Sequence, residues 1–231
     1  MAFDPTGYKP KPSKKLPVIL LLDVSGSMSG EKIDTLYDCV VDMVQSFVDA
    51  AVKETMIDVA IITFGENVDL HTPYTSAADL QKNGISRFYA KGMTPLGTAL
   101  RMAKDMIEDK TVTPSHIYRP AILLVSDGQP NDSWRNPLDN FINDGRSKKC
   151  QRFAIAIGND ADKKVLAQFT GNPDNVMLAD DASDIEKSFE KFSMSVSVRA
   201  ASKNPNVVPT PPDATFDNNK KQDSDDDDEY I

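Results

Sequence analysis

Cysteine and histidine are scarce in this chain, and each scarcity removes a class of chemistry. Cys39 and Cys150 are the only thiols among 231 residues, and they form neither a Cys-x-x-Cys pair nor a zinc-ligand spacing. A disulfide framework is therefore not expected, and the low cysteine count fits a reducing compartment. His71 and His116 are the only histidines, and neither lies near the loops discussed below, so no general base is poised for catalysis. Long apolar runs are missing too. Residues 16–22, Leu-Pro-Val-Ile-Leu-Leu-Leu, are too few to cross a bilayer, and they run straight into Asp23 without a small-residue cleavage site. Although Lys14-Lys15 precede it, this run reads as a strand and not as a signal sequence. Positive charge is also in deficit, with 26 Lys and Arg against 35 Asp and Glu and a net charge of −9. That balance argues against nucleic acid as a partner, because phosphate binding needs a basic face. The expectation is a soluble cytoplasmic protein with no membrane insertion. No GxxxxGK[ST] phosphate loop is present. Ser25 stands where an aspartate-nucleophile phosphatase needs its second Asp, and Met28 stands where a hydrolase elbow needs Ser.

What remains is enough apolar sequence, 40% of the chain, for one sizeable core. Residues 1–15, rich in Pro, Lys and Gly, read as a flexible leader. Strands are expected over 16–22, 57–64, 68–70, 121–125, 153–157 and 176–178. Ser29-Gly30-Glu31 opens a helix whose Ile33, Leu36, Val40, Val44 and Phe47 recur at helical spacing. Thr94 and Pro95 look like the N-cap and first position of a helix carrying Leu96, Leu100, Ala103 and Ile107. Asp132 or Ser133 is expected to cap the next, with a short helix over 163–169 and a closing one over 185–196. Strands alternating with helices indicate an α/β domain around a mostly parallel sheet. Gly65-Glu66-Asn67 is too short for a parallel crossover, so strands two and three form an antiparallel edge hairpin. From residue 199 the composition changes to repeated prolines and then the almost uninterrupted acid of 223–229. Residues 199–231 are therefore expected to be a disordered acidic tail.

Three loops carry the chemistry. Asp23-Val24-Ser25-Gly26-Ser27 follows the first strand, Gly92-Met93-Thr94-Pro95 opens a helix, and Ser126-Asp127-Gly128 follows the fourth strand. Each alone is plausible turn or cap chemistry. Together they offer three hydroxyls and two carboxylates, hard oxygens that suit Mg²⁺, Mn²⁺ or Ca²⁺ and are poor ligands for zinc or copper. Because ligands of open α/β sheets bind beyond the carboxyl ends of the strands, the first and fourth strands should lie side by side there. Ser25, Ser27 and Thr94 would supply neutral oxygens, and Asp23 and Asp127 the compensating charge, directly or through water. Which aspartate binds directly stays open. Met28, Gln129, Asn131 and Trp134 are candidate rim residues for a partner.

These residues resemble the von Willebrand factor A (VWA) domain family, whose metal-ion-dependent adhesion site has the pattern DxSxS…T…D, filled here by Asp23, Ser25, Ser27, Thr94 and Asp127. The resemblance covers 16–198 and implies a doubly wound, mostly parallel six-stranded sheet with one antiparallel edge strand and helices on both faces, a VWA/Rossmann-like fold. It also implies a Mg²⁺-type site completed by a Glu or Asp of a protein partner, and a binding function without catalysis. Segments 22–30, 92–97 and 124–130 are most similar to bacterial TerY-type tellurium-resistance proteins. That subgroup implies an adaptor in a stress response, beside a protein kinase or a PP2C-type phosphatase. A Mg²⁺-dependent enzyme subunit and a divalent-ion sensor are the alternatives that the residues leave open.

Overall fold

The computed structural model describes residues 14–50 and 55–206. Its spine is β1 (Lys14–Asp23), whose last eight residues are buried without a break, as a central parallel strand covered on both faces requires. β1 pairs in parallel with β2 (Thr55–Phe64) on one side and β4 (Ala121–Ser126) on the other. β3 (Val68–Ser76) turns back antiparallel on β2, while β5 (Gln151–Ile157) and β6 (Val176–Ala179) extend the parallel sheet beyond β4. The strand order is β3-β2-β1-β4-β5-β6, so the winding direction reverses between β1 and β4. The fold class expected from the sequence is the one observed.

Alternate residues of β1 face opposite layers. Leu16, Val18, Leu20 and Leu22 pack with α1 (Glu31–Asp49), α2 (Ala77–Asn83) and α6 (Ala182–Ala201). Ile19 and Leu21 pack with α3 (Leu96–Glu108), α4 (Arg135–Asn143) and α5 (Lys163–Thr170). Among the described residues no helix is long and apolar enough to cross a membrane.

Four local expectations need correcting. Lys14 and Lys15, assigned to the leader, already pair with Thr55 and Met56 in the sheet. β3 continues to Ser76, well past residue 70. Pro73 is tolerated inside it because β3 is an edge strand that pairs only with β2. α2 was not foreseen, and it is capped by the Ser76 hydroxyl, which accepts from Asp79 N. Finally, α6 runs through Ala201, so the first residues of the expected tail belong to the domain. Arg199 is only 1% exposed and donates to the carbonyls of Pro205 and Arg119 and to Gln151 Oε1. These three bonds fasten the end of α6 across the amino ends of β4 and β5. Most of the expected leader and the acidic tract at 223–229 lie outside the described residues.

Candidate metal centre

Because β1 and β4 are neighbours, with Leu22 opposite Val125, their tips leave the sheet side by side at the reversal point. Asp23 ends β1 with no exposed surface. Its Oδ1 accepts from Ser25 N at 2.9 Å, which bends the chain into the short 3-10 turn Gly26–Met28. Its Oδ2 accepts from the Ser126 hydroxyl at 2.6 Å, locking the two strand tips together. Ser25 Oγ lies 3.1 Å from Ser27 Oγ, and Ser27 Oγ donates to Asp127 Oδ1 at 2.7 Å. Four of the five expected ligands thus form one chain of short contacts across the switch point.

Thr94 arrives from the third loop. Lys91 N donates to Val24 O at 2.7 Å and Gly26 N to Gly92 O at 2.9 Å, so this loop is stitched to the one after β1. A Cβ built on Gly128 would lie 3.4 Å from Thr94 Oγ1 and 4.0 Å from Ser27 Oγ. The glycine therefore keeps open a space on which the threonine and serine hydroxyls converge. The expected capping role of Thr94 is not what the structure shows. The Asp132 carboxylate accepts from Gly97 N and Thr98 N, both at 2.9 Å, and satisfies the open amides of α3. α4, which Asp132 was expected to cap, has Trp134 at its N-cap position and no side-chain cap. Asp132 thereby releases the Thr94 hydroxyl for the site.

The donor set suits a hard divalent cation. Among the described residues no three His, Cys, Asp or Glu side chains gather as a metal cluster. The converging atoms are instead three hydroxyl oxygens backed by two carboxylates, a set that favours oxygen-loving ions. The electrostatics agree. Burial pushes the Asp23 carboxyl above its ordinary value, against the lowering effect of the Ser126 and Ser25 hydrogen bonds, and the nearby Asp127 charge raises it further. Asp127, nearly as buried, takes the Lys32 ammonium on Oδ2 at 2.5 Å. Two buried acids this close favour a cation beside them, and at Asp127 the Lys32 ammonium already takes that place.

The rim differs from expectation. Met28 is 0% exposed and belongs to the core beneath α1, so it is no rim residue: the 3-10 turn points it inward. Gln129 and Asn131 are exposed, and Asn131 N donates to Thr94 O at 3.1 Å. Trp134 is half-buried against the α3–α4 layer with Arg135 over its ring at 4.7 Å. The exposed apolar side chains of the third loop are Met93 at 63% and Tyr89 at 80%, which sequence reading passed over. Ser126 was visible within its motif but carried no role until Asp23 was placed beside it. Lys32 and Asp132 had no local signal, since each acts on a residue distant in sequence.

A model of the von Willebrand factor type A domain matches residues 18–191. No curated protein matches the chain. Among solved structures, proximal thread matrix protein 1 from the mussel byssus superposes with a TM-score of 0.64 at 17% identity, covering 78% of this chain and 48% of that one. A structure of the same matrix protein has a zinc-occupied MIDAS motif. The pilus adhesin SpaC from Lactobacillus rhamnosus GG, in its open conformation, gives 0.64 at 17% identity over 84% of this chain and 31% of its own. The von Willebrand factor type A protein from Catenulispora acidiphila gives 0.59 at 18% over 79% and 42%. The chain spans less than half the length of each of these, and at such identities the likeness is one of fold.

Proposed function

Because the chain belongs to the von Willebrand factor type A domain family, we propose that it is a divalent-ion-dependent protein-interaction module, not an enzyme, that captures an acidic side chain of a protein partner. The observation that carries this reading is the convergence of Ser25, Ser27 and Thr94 hydroxyls over Asp23 and Asp127 at the switch point of the sheet. These five residues would hold the ion, and the oxygen-only donor set favours Mg²⁺. When bound, the ion supplies positive charge at the mouth of the site, where a partner's Glu or Asp can add to it. The chain's own part is to orient and to desolvate. Asp23 fixes Ser25 through the backbone, Ser27 is oriented by donating a hydrogen bond to Asp127, and Asp132 frees Thr94 from capping duty. Met93 and Tyr89 offer apolar surface beside the carboxylate's entry, and Gln129 and Asn131 polar surface.

The TerY-type similarity of segments 22–30, 92–97 and 124–130 supports a setting in a bacterial cytoplasmic tellurite or stress response, with a kinase or PP2C-type phosphatase as partner. The buried, unpaired Cys39 and Cys150 suit a reducing compartment. Tellurite tolerance of cells carrying Thr94→Ala in place of the wild type tests that setting, and unchanged tolerance would remove it.

The interaction itself is tested with three arms. A partner held by the wild-type protein in Mg²⁺ should be released by EDTA and by Thr94→Ala. Thr94→Ala should leave thermal unfolding nearly unchanged, because Asp132 and not Thr94 caps α3. Retention in all three arms would move recognition away from the five residues.

A pH dependence follows from Asp23. Only the ionised carboxylate compensates a bound cation, and burial raises the Asp23 pKa above the ordinary aspartate value. Ion uptake should therefore decline on acidification already above the range in which an ordinary aspartate titrates. The sign for the ion-free fold is opposite. A raised folded pKa favours the protonated form, so this stabilisation is complete below the unfolded pKa and is lost as pH rises through the folded one. Calorimetric titration with Mg²⁺ at a series of pH values checks the first statement; uptake that persists unchanged down to pH values near 3.8 would refute it.

A further inference from the structure

Lys32 is the cation that the fold brings onto the candidate site. It occupies the first turn of α1, where a positive side chain opposes the helix dipole and gains nothing locally. Its ammonium nevertheless reaches Asp127 Oδ2 at 2.5 Å and Ser27 O at 3.4 Å. The Lys32 side chain is 40% exposed and that of Asp127 1%, so the ammonium bridges from solvent to a buried acid. On its other flank Lys32 lines an open cleft of about 370 Å³ between the start of α1, the end of β5 and the start of α6. Glu31, Asp180 and Asp181 line the same cleft, yet among the described residues Asp127 is the one carboxylate within 4.0 Å of the ammonium.

The consequence is a matter of charge. Asp23 and Asp127 alone would neutralise a divalent ion and leave the loaded site with little pull on an anion. Lys32 offsets Asp127, so the loaded site keeps a net positive charge. Building on the metal reading above, we propose that Lys32 is a specificity-determining residue that trades ion affinity for affinity toward the carboxylate of an acidic peptide. The two ligands then bind cooperatively: the ion is held weakly until an acid arrives, and the acid is held only with the ion. Ser27 and Lys32 do not compete for Asp127, since the hydroxyl donates to Oδ1 and the ammonium to Oδ2.

A purely structural role for Lys32 would make its loss weaken both ligands, whereas a charge-setting role moves them in opposite directions. The test is titration of the metal-free full chain with Mn²⁺, which shares the oxygen preference of Mg²⁺, with and without acetate as the carboxylate probe. Lys32→Gln should bind Mn²⁺ about tenfold more tightly than wild type, the scale of removing one unit charge near the site. Acetate should enhance Mn²⁺ uptake by the wild type and do so much less in Lys32→Gln, and Lys32→Arg should behave as wild type. Wild-type uptake with Lys32→Gln no tighter would overturn the role of Lys32 alone. Absence of uptake by the wild type would overturn the metal reading, and this inference with it.

Discussion

Asp23→Ala is expected to lower divalent-ion affinity at least about hundredfold, the upper range for losing a group that orients or backs metal ligands. The size of the effect comes from two functions held by one side chain. Asp23 supplies one of two negative charges beneath the hydroxyls, and its two oxygens anchor Ser25 N and Ser126 Oγ. Truncation therefore removes charge and releases the loop that presents Ser25 and Ser27. Folding should suffer much less. Two buried hydrogen bonds are lost, at about 1 kcal/mol each, but so is a fully buried carboxylate, whose charge burial disfavours in the ion-free fold. Asp23→Asn separates the two functions, because the amide oxygen can still accept from Ser25 N while the charge is gone. Calorimetry should find both variants folded and both unable to take up Mg²⁺. Binding by Asp23→Asn at wild-type affinity would show that geometry and not charge makes the site.

The parts of this fold that were legible in the sequence are those in which neighbouring residues act together. The central strands β1 and β4 are continuous apolar runs because both faces are covered. The serine, threonine and aspartate loops were legible because oxygen-rich clusters at strand ends have a narrow range of uses. What was missed depends on distance or on shape. Asp132 caps a helix that begins well before it in sequence, and Lys32 pairs with Asp127 across the crevice; neither contact has a local pattern. Met28 sits inside a polar motif and so looks like surface, yet the 3-10 turn set by Asp23 drives it into the core. Arg199 follows a helical stripe that was read as ending just before it, and only the carbonyls of Arg119 and Pro205 reveal that it is an internal tie. β3 runs on from the expected 68–70 through Pro73 to Ser76, which only its place at the sheet edge makes possible.

Gly92→Ala should cause the largest loss of stability at the site, and the motif glycine Gly26 should be the tolerant one. Gly92 has φ +82, in the left-handed region where an L side chain costs about 1–2 kcal/mol. A Cβ there would also press into Glu66 N and Cα, which are backbone of the β2–β3 turn and cannot swing aside. That turn is itself pinned, since a Cβ on Gly65 would meet Lys91 O and Val24 O at 2.6 Å. The two loops are packed backbone to backbone with no slack, so the substitution should destabilise the domain by roughly 3 kcal/mol in all, adding overpacking to strain. Gly26 stands inside the serine motif, but its φ is not positive and a Cβ would rest 3.5 Å from Gly92 O, an ordinary contact. Gly26→Ala should therefore shift stability by less than about 1 kcal/mol. Chemical denaturation of the two variants measures this contrast directly. Ion titration then extends it, because the strained loop is the one that carries Thr94 into place: Gly92→Ala should lose Mg²⁺ affinity along with stability, while Gly26→Ala keeps both. Equal stability of the two variants would mean that the loop can rearrange, and that its docking onto Val24 and Gly26 is not what positions the threonine.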